Sequence, residues 1–208
     1  MPQTGKSPAP ATGDDELVRR VQENDEQAVE ALVRRYRNRA FAIAYQMSEG
    51  DREEALDLTQ EVFLRIFRSI HAFKGEASFY TWFYRIVVNT CVDARRRRQR
   101  WRRIFVPWRS QRKDGEDSKE SLEDFPDRAS ESSPMSSLRN KQLNTEVQAA
   151  LVMLTESQRT AFQLKVFQDL TIAEIAEVMG LAPGTVKSHL FRATRLVRKR
   201  LEGWIDRS

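Results

Sequence analysis

Residues 95–103 read RRRRQRWRR and hold seven arginines, and a second basic row, Lys187, Arg192 and Arg195, stands on a helical repeat further along the chain. Guanidinium and ammonium groups at this density bind polyanions, through phosphate oxygens and, for the forked guanidinium, through guanine edges. Side chains for bond-making chemistry are scarce. The two histidines, His71 and His189, are far apart, and the lone cysteine, Cys91, sits in IVVNTCVDA, which reads as a buried helix face. No His or Cys set has metal-ligand spacing, so neither a metal nor a cofactor nor catalysis is expected. Pairs of Asp and Glu leave a metal-dependent nuclease open, and incubation of DNA with magnesium discriminates it.

The second basic row belongs to the stretch Thr171 to Leu201, TIAEIAEVMGLAPGTVKSHLFRATRLVRKRL. Thr171 and Glu174 form a T-x-x-E capping box, Ile172, Ile175, Ala176 and Met179 follow at helical spacing, and Gly180 ends the helix. Ala176, Gly180 and Val186 supply what a helix-turn-helix needs: a small side chain at the crossing, a residue free to take positive φ, and an apolar plug. Pro183 suits the first turn of the second helix. There Val186, Leu190, Ala193, Val197 and Leu201 make one apolar stripe, leaving Lys187, Ser188, Phe191, Arg192 and Arg195 on other faces. Cations and a hydroxyl on the outer face of a second helix fit entry into a DNA major groove.

The elements that must position these groups are all helical. In a chain of 208 residues with 40% hydrophobic content and a net charge of +5, charge distribution matters more than its total. Residues 1–13 read as a disordered leader, and structure begins near Asp14. A short helix, a turn at Asn24 and Asp25, and a long helix closed by Ser48 to Gly50 come first. A third helix spans about Asp51 to Ile70, the loop His71 to Ser78 follows, and a fourth helix runs from Phe79 into the arginine tract. Six aromatics between Phe73 and Tyr84 exceed what one helix buries, which makes base stacking a use for some of them. Trp82, Phe83 and Ile86 are expected in the core.

Residues 105–142 are rich in Ser and acids, with eight acidic residues against two basic ones between Asp114 and Ser137, and read as a flexible linker. That sets two modules, 14–104 and 143–205. The second opens with a helix carrying Val147, Ala150, Leu151 and Leu154. Thr155 and Gln158 then cap a helix holding Phe162, Leu164, Val166 and Phe167, which leads to the hairpin. No apolar run exceeds six residues, too short for a signal peptide or a membrane span, so a cytoplasmic protein without membrane insertion is expected.

Three motifs in order, DLTQEVFLRIFRSI at Asp57 to Ile70, FKGEASFYTWFYRIVVNT at Phe73 to Thr90, and the hairpin, resemble the extracytoplasmic-function group of bacterial sigma-70 factors. Within that group the chain is most similar to the envelope-stress sigma factors. The resemblance implies two helical domains, sigma-2 and sigma-4, in a promoter-specificity subunit that recruits core RNA polymerase through its beta and beta-prime subunits and opens DNA. It assigns Asp57, Gln60, Glu61, Leu64 and Arg65 to the polymerase clamp. It assigns Phe73, Lys74, Gly75, Ala77, Ser78 and Asn89 to a flipped minus-ten base, and Arg95, Arg96 and Arg97 to duplex phosphates upstream. For the minus-35 element it implies Lys187, Ser188, His189, Phe191 and Arg192, with Arg195 on the same face and Lys165 as a backbone contact.

Two positions depart from relatives, in which arginine can stand where Lys187 and His189 stand here; lysine lacks the bidentate fork, so base preference shifts. The acidic linker either imitates RNA phosphates in the polymerase cleft or serves as a solvated spacer. An anti-sigma factor is a further implied partner. A stand-alone repressor using only the hairpin is the competing reading, and it lacks the heptad seam a dimer would use.

Overall fold

The computed structural model describes residues 13–105, 143 and 145–205, and every regular element among them is helical. Helix α1 (Asp14–Gln22) turns through Asn24, at φ 63°, into α2 (Glu26–Met47). Asp25 makes that turn a helix start, because its carboxylate accepts from the N–H groups of Gln27 and Ala28, donors that no carbonyl within the helix can reach. Asp51 does the same for α3 (Arg52–Ser69), accepting from Glu54 N–H at 2.9 Å. A single 3-10 turn, Ile70–Ala72, then precedes the loop into α4 (Phe79–Phe105), which runs unbroken through the arginine tract.

The start of the first module is tied down by a buried carboxylate. Asp14 accepts from the Tyr36 hydroxyl at 2.6 Å and from Arg35, so α1 is fixed to α2. Burial, then the hydrogen bond to Asp14, push the Tyr36 phenol well above its ordinary range.

Helix α4 buries more aromatic surface than its own length suggests. Phe79, Phe83 and Tyr84 are fully buried, whereas Phe73, Tyr80 and Trp82 are half-buried. Tyr36 packs against Phe79 at 5.2 Å and Phe83 at 4.7 Å between ring centroids, while Phe73 reaches Trp82 at 5.1 Å. A full burial of such a side chain stabilises by about 1.5–3 kcal/mol, so this wall outweighs any single polar contact in the module. Three of the six aromatics are thus core, and the other three keep part of their surface open. Phe83 lies in the core as expected, and Trp82 and Ile86 stand at its edge.

In the second module, a helix over 145–152 (α5) leads to α6 (Glu156–Gln168), α7 (Ile172–Met179) and α8 (Pro183–Ile205). Both expected capping boxes form, Thr155 with Gln158 and Thr171 with Glu174. Gly180 takes φ 64° and ends α7, with Leu181 N–H bonded to the Ala176 carbonyl at 2.9 Å. Ala176 and Val186 are buried at the crossing of α7 and α8.

The composition of the linker divides the chain, yet the packing joins it. One buried apolar cluster runs from α1 to α4 and continues through Ala161, Leu164, Leu170, Ile175, Ala176 and Val178 of the second module. A smaller cluster, Ala150, Leu151, Leu154, Phe162, Ala193 and Val197, holds α5, α6 and α8 together. Helix α6 therefore serves two cores, and its remaining face leaves Val166 and Phe167 exposed, although the apolar pattern reads them as interior. The expected leader, apart from Gly13, and the expected linker, apart from Phe105, lie outside the described residues.

Candidate polymerase and promoter interfaces

Three surfaces carry the residues singled out from the sequence. On α3, Asp57, Gln60 and Leu64 form one outward line, and Leu64 is 50% exposed among polar neighbours. Beside them Glu61 accepts from Arg65 Nε at 2.8 Å, and Arg65 reaches Asp93 of α4 at 3.2 Å. The hydrogen bond from Arg65 holds the Glu61 carboxyl below its usual range. A large exposed leucine thus stands beside charged side chains held in place by one another.

The second surface is the loop before α4. Lys74, Gly75 and Ser78 are exposed, Ala77 is half-buried, and Asn89 stands exposed two turns or more into the helix. Gly75 takes φ 74°, where a side chain would be strained, and a Cβ there would meet nothing within 4 Å. The base of the loop is rigid: Gln22 Nε2 donates to the Ile70 and Phe73 carbonyls at 2.8 and 2.9 Å, and Phe73 packs on Phe79 and Trp82. Ser78 Oγ accepts from Thr81 N–H at 3.2 Å, which places the hydroxyl at the start of α4.

Continuing along α4, the arginines diverge. Arg97 is exposed, Arg98 pairs with Glu54, and Arg96 pairs with Glu156 of α6 at 2.5 Å. Arg95 is only 4% exposed and donates to the Met47 carbonyl at 2.8 Å, and two of its nitrogens have no partner. Burial, with Arg159 close by, lowers the pKa of Arg95.

The third surface is the outer face of α8, where Lys187, Ser188, Phe191, Arg192 and Arg195 are all exposed, Phe191 at 69%. Ser188 Oγ donates back to the Gly184 carbonyl at 3.0 Å. His189 is half-buried, and its Nδ1 is enclosed without a partner, so it sits at the margin of this face. Lys165 lies apart on α6, donating to the Leu170 carbonyl at 3.1 Å beside Asp169.

Comparison with known proteins bears on what these surfaces serve. Residues 32–101 match Sigma-70 region 2, and residues 144–197 match Sigma-70, region 4. The RNA polymerase sigma-H factor of Pseudomonas aeruginosa is 33% identical over 195 residues, which are 91% of this chain and 94% of that one. The chain belongs to the ECF sigma factors of RNA polymerase. The ECF RNA polymerase sigma-E factor of Haemophilus influenzae is 31% identical over 91% of this chain and 95% of its own, and that of Escherichia coli is 30% identical over 93% and 97%. CnrH, solved in complex with the cytosolic domain of CnrY, shares the fold at TM-score 0.63 with 19% identity, covering 92% of this chain and 98% of that one. The Bartonella quintana sigma factor RpoE, solved with the anti-sigma factor NepR, does so at 0.60 with 20% identity, covering 83% and 96%.

In this sigma factor the region 2 match contains the α3 stripe and Arg95 to Arg98 of α4, and the region 4 match contains the hairpin as far as Val197. Among the described residues no helix is long and apolar enough to cross a membrane, and no group of three or more His, Cys, Asp or Glu could hold a metal. Sequence reasoning missed a fourth group of residues, which faces inward between the modules. Arg159 pairs with Glu49 at 3.1 Å, Gln163 donates to the Gln46 carbonyl at 2.9 Å, and Arg85 donates to the Glu177 carbonyl at 2.8 Å. These partners stand 110, 117 and 92 positions apart, so no local pattern marks them.

Proposed function

We propose that this ECF sigma factor directs core RNA polymerase to a promoter with minus-35 and minus-ten elements and captures a non-template base as the strands part. The first module, 14–104, docks on the clamp through Asp57, Gln60, Glu61, Leu64 and Arg65 and reads the minus-ten element. The second module, 143–205, reads the minus-35 element. The observation that carries this reading is the outer face of α8, where Lys187, Ser188, Phe191, Arg192 and Arg195 all face solvent on a helix whose other side is locked by the hairpin.

For the minus-ten element, the rim at Lys74, Gly75, Ala77 and Ser78 sits on an aromatic base through Phe73, and Asn89 can donate and accept at once to a base edge. Arg95, Arg96 and Arg97 contribute salt-dependent attraction to phosphates. The protein carries out no chemistry of its own and works in the cytoplasm, where an anti-sigma factor restrains it, as the Bartonella RpoE was solved with the anti-sigma factor NepR.

Reconstitution with core polymerase on promoter DNA tests the reading. A transcript from one defined start supports it, and DNA occlusion without transcript supports a repressor instead. Changing Asp57→Ala and Gln60→Ala together is expected to abolish capture of core polymerase while circular dichroism keeps its helical signal. Normal capture by that variant rejects the docking assignment.

A further inference from the structure

Helix α8 carries more charge than the reading of a DNA element uses. Over Pro183–Ile205 it holds Lys187, Arg192, Arg195, Arg198, Lys199 and Arg200 against a single acid, Glu202. Arg200 pairs with Glu146 of α5 at 3.2 Å. The other five cations are exposed, and neither they nor Glu202 have an ion-pair partner among the described residues. The helical repeat sets Arg195, Arg198 and Lys199 on the side of Ser188 and Phe191, opposite the buried Val186, Ala193 and Val197. The cationic face that starts at the hairpin thus runs on past the residues assigned to base edges.

Ordinary helix chemistry does not account for the two outermost cations. A helix C-terminus favours cations only within its last turn, and Arg198 and Lys199 stand more than one turn before Ile205. Solubility is served by mixed signs, as on α3, where Asp57 and Glu61 accompany Arg65 and Arg68. Like charges three and four residues apart, as Arg195 is from Arg198 and Lys199, repel one another along the helix. A polyanion laid against this face relieves that repulsion.

Helix length decides which part of a duplex the two cations meet. At about 1.5 Å per residue, Ser188 and Lys199 lie about 16 Å apart along the axis, and the major groove is about 12 Å wide. A helix with Lys187 to Arg192 at base edges therefore brings Arg198 and Lys199 to the groove wall or past it, where phosphates stand and base edges do not. We propose that Arg198 and Lys199 form a second, sequence-blind DNA site, a grip on the phosphates of the duplex that flanks the minus-35 element. It rests on the reading of α8 as the minus-35 helix. The first half of α8 sets where the module binds, and the grip sets how tightly it holds and how far along the duplex it reaches.

In the test the full chain is titrated with a duplex carrying the minus-35 element of the promoter used in reconstitution, with about 10 base pairs on each side. Two further duplexes are trimmed to the element on one side or the other, and the parent chain should lose affinity on one trimming only. Arg198→Gln with Lys199→Gln should lower the slope of log affinity against log salt by about 1.8, so that the gap to the parent chain narrows about twelvefold between about 50 and 200 mM salt. That variant should keep the parent's preference for the element over a scrambled sequence and no longer respond to trimming. Arg198→Lys with Lys199→Arg keeps both charges and should behave as the parent chain, which separates charge from damage to the helix.

An unchanged slope in the glutamine variant overturns the grip, and poor transcription by that variant would then assign the two cations to an acidic protein surface instead. A lowered slope with a parent chain indifferent to trimming overturns the flanking position, and a lost sequence preference overturns the sequence-blind role. If the parent chain prefers no sequence, the reading of α8 fails and the grip falls with it. A parent chain that keeps its preference beside an unchanged slope in the variant removes the grip alone.

Discussion

Helices α4 and α8 both carry rows of cations, but they differ in how many are engaged: on α4 Arg97 is exposed while its neighbours are held. Arg192 and Arg195 stand in solvent, whereas on α4 Arg95 is buried, Arg96 is paired across the seam and Arg98 is paired with Glu54. The difference lies in what each helix has on its far side. Helix α8 has its apolar stripe against α5, α6 and α7 and one free face, while α4 is enclosed by α2 and α3 and by the second module. A row of like charges in a sequence therefore measures capacity for a polyanion, and packing decides how much of that capacity is free.

The hardest way to break this contrast is to remove the wall that holds α4 in place. Phe83→Ala should lower the unfolding free energy by about 3–5 kcal/mol in urea titrations, since it empties a fully buried site in the densest part of the core. A loss below about 1 kcal/mol would mean that the α4 arginines are not positioned by that packing.

A smaller effect sharpens the contrast at the DNA. Arg192→Ala is expected to cost about 1–3 kcal/mol at one base pair of the minus-35 element if its guanidinium reads a base edge. If it only meets a phosphate, all sequences weaken alike and the salt slope falls by about 0.9. Arg96→Ala should weaken duplex binding less than Arg192→Ala does, because Glu156 already engages the Arg96 guanidinium. Equal losses for Arg192→Ala and Arg96→Ala in the parent chain would erase the distinction between the two helices.

The hairpin that presents α8 depends on caps. Thr171→Ala removes the acceptor for Glu174 N–H, at 3.2 Å, and should cost about 1 kcal/mol, read as a lowered melting temperature. Glu156→Ala, which leaves the Thr155 cap intact, should change stability less than that, because Arg96 is exposed and its pair is screened.

The smallest effect concerns Cys91 on the inner side of α4. Burial pushes its thiol up to about 12 from an ordinary value near 9, so the folded chain keeps it neutral. The stability this contributes is whole below pH 9 and is lost as pH rises from 9 towards 12, because the unfolded thiol ionises first. The difference in unfolding free energy between the parent chain and Cys91→Ala should therefore narrow on the alkaline side, and a thiol reagent should modify Cys91 only at the rate of unfolding. Rapid modification of the folded chain at pH 8 would show that this face of α4 is open.

Local rules made the helices legible in the sequence. Capping boxes at Thr155 and Thr171, the positive φ at Gly180 and the 3.6-residue stripes act between residues three or four apart, so one chain segment contains all the information they need. The same holds for the outward faces of α3 and α8, because an apolar stripe on one side of a helix fixes what stands on the other. Only the tertiary structure decided that Val166 and Phe167 lie exposed, that three aromatics of α4 are fully enclosed, and that Arg95, Arg96 and Arg159 meet Met47, Glu156 and Glu49. Those outcomes depend on which surfaces distant segments bring together, and a seam between residues 60 to 122 positions apart leaves no periodicity for a sequence to display.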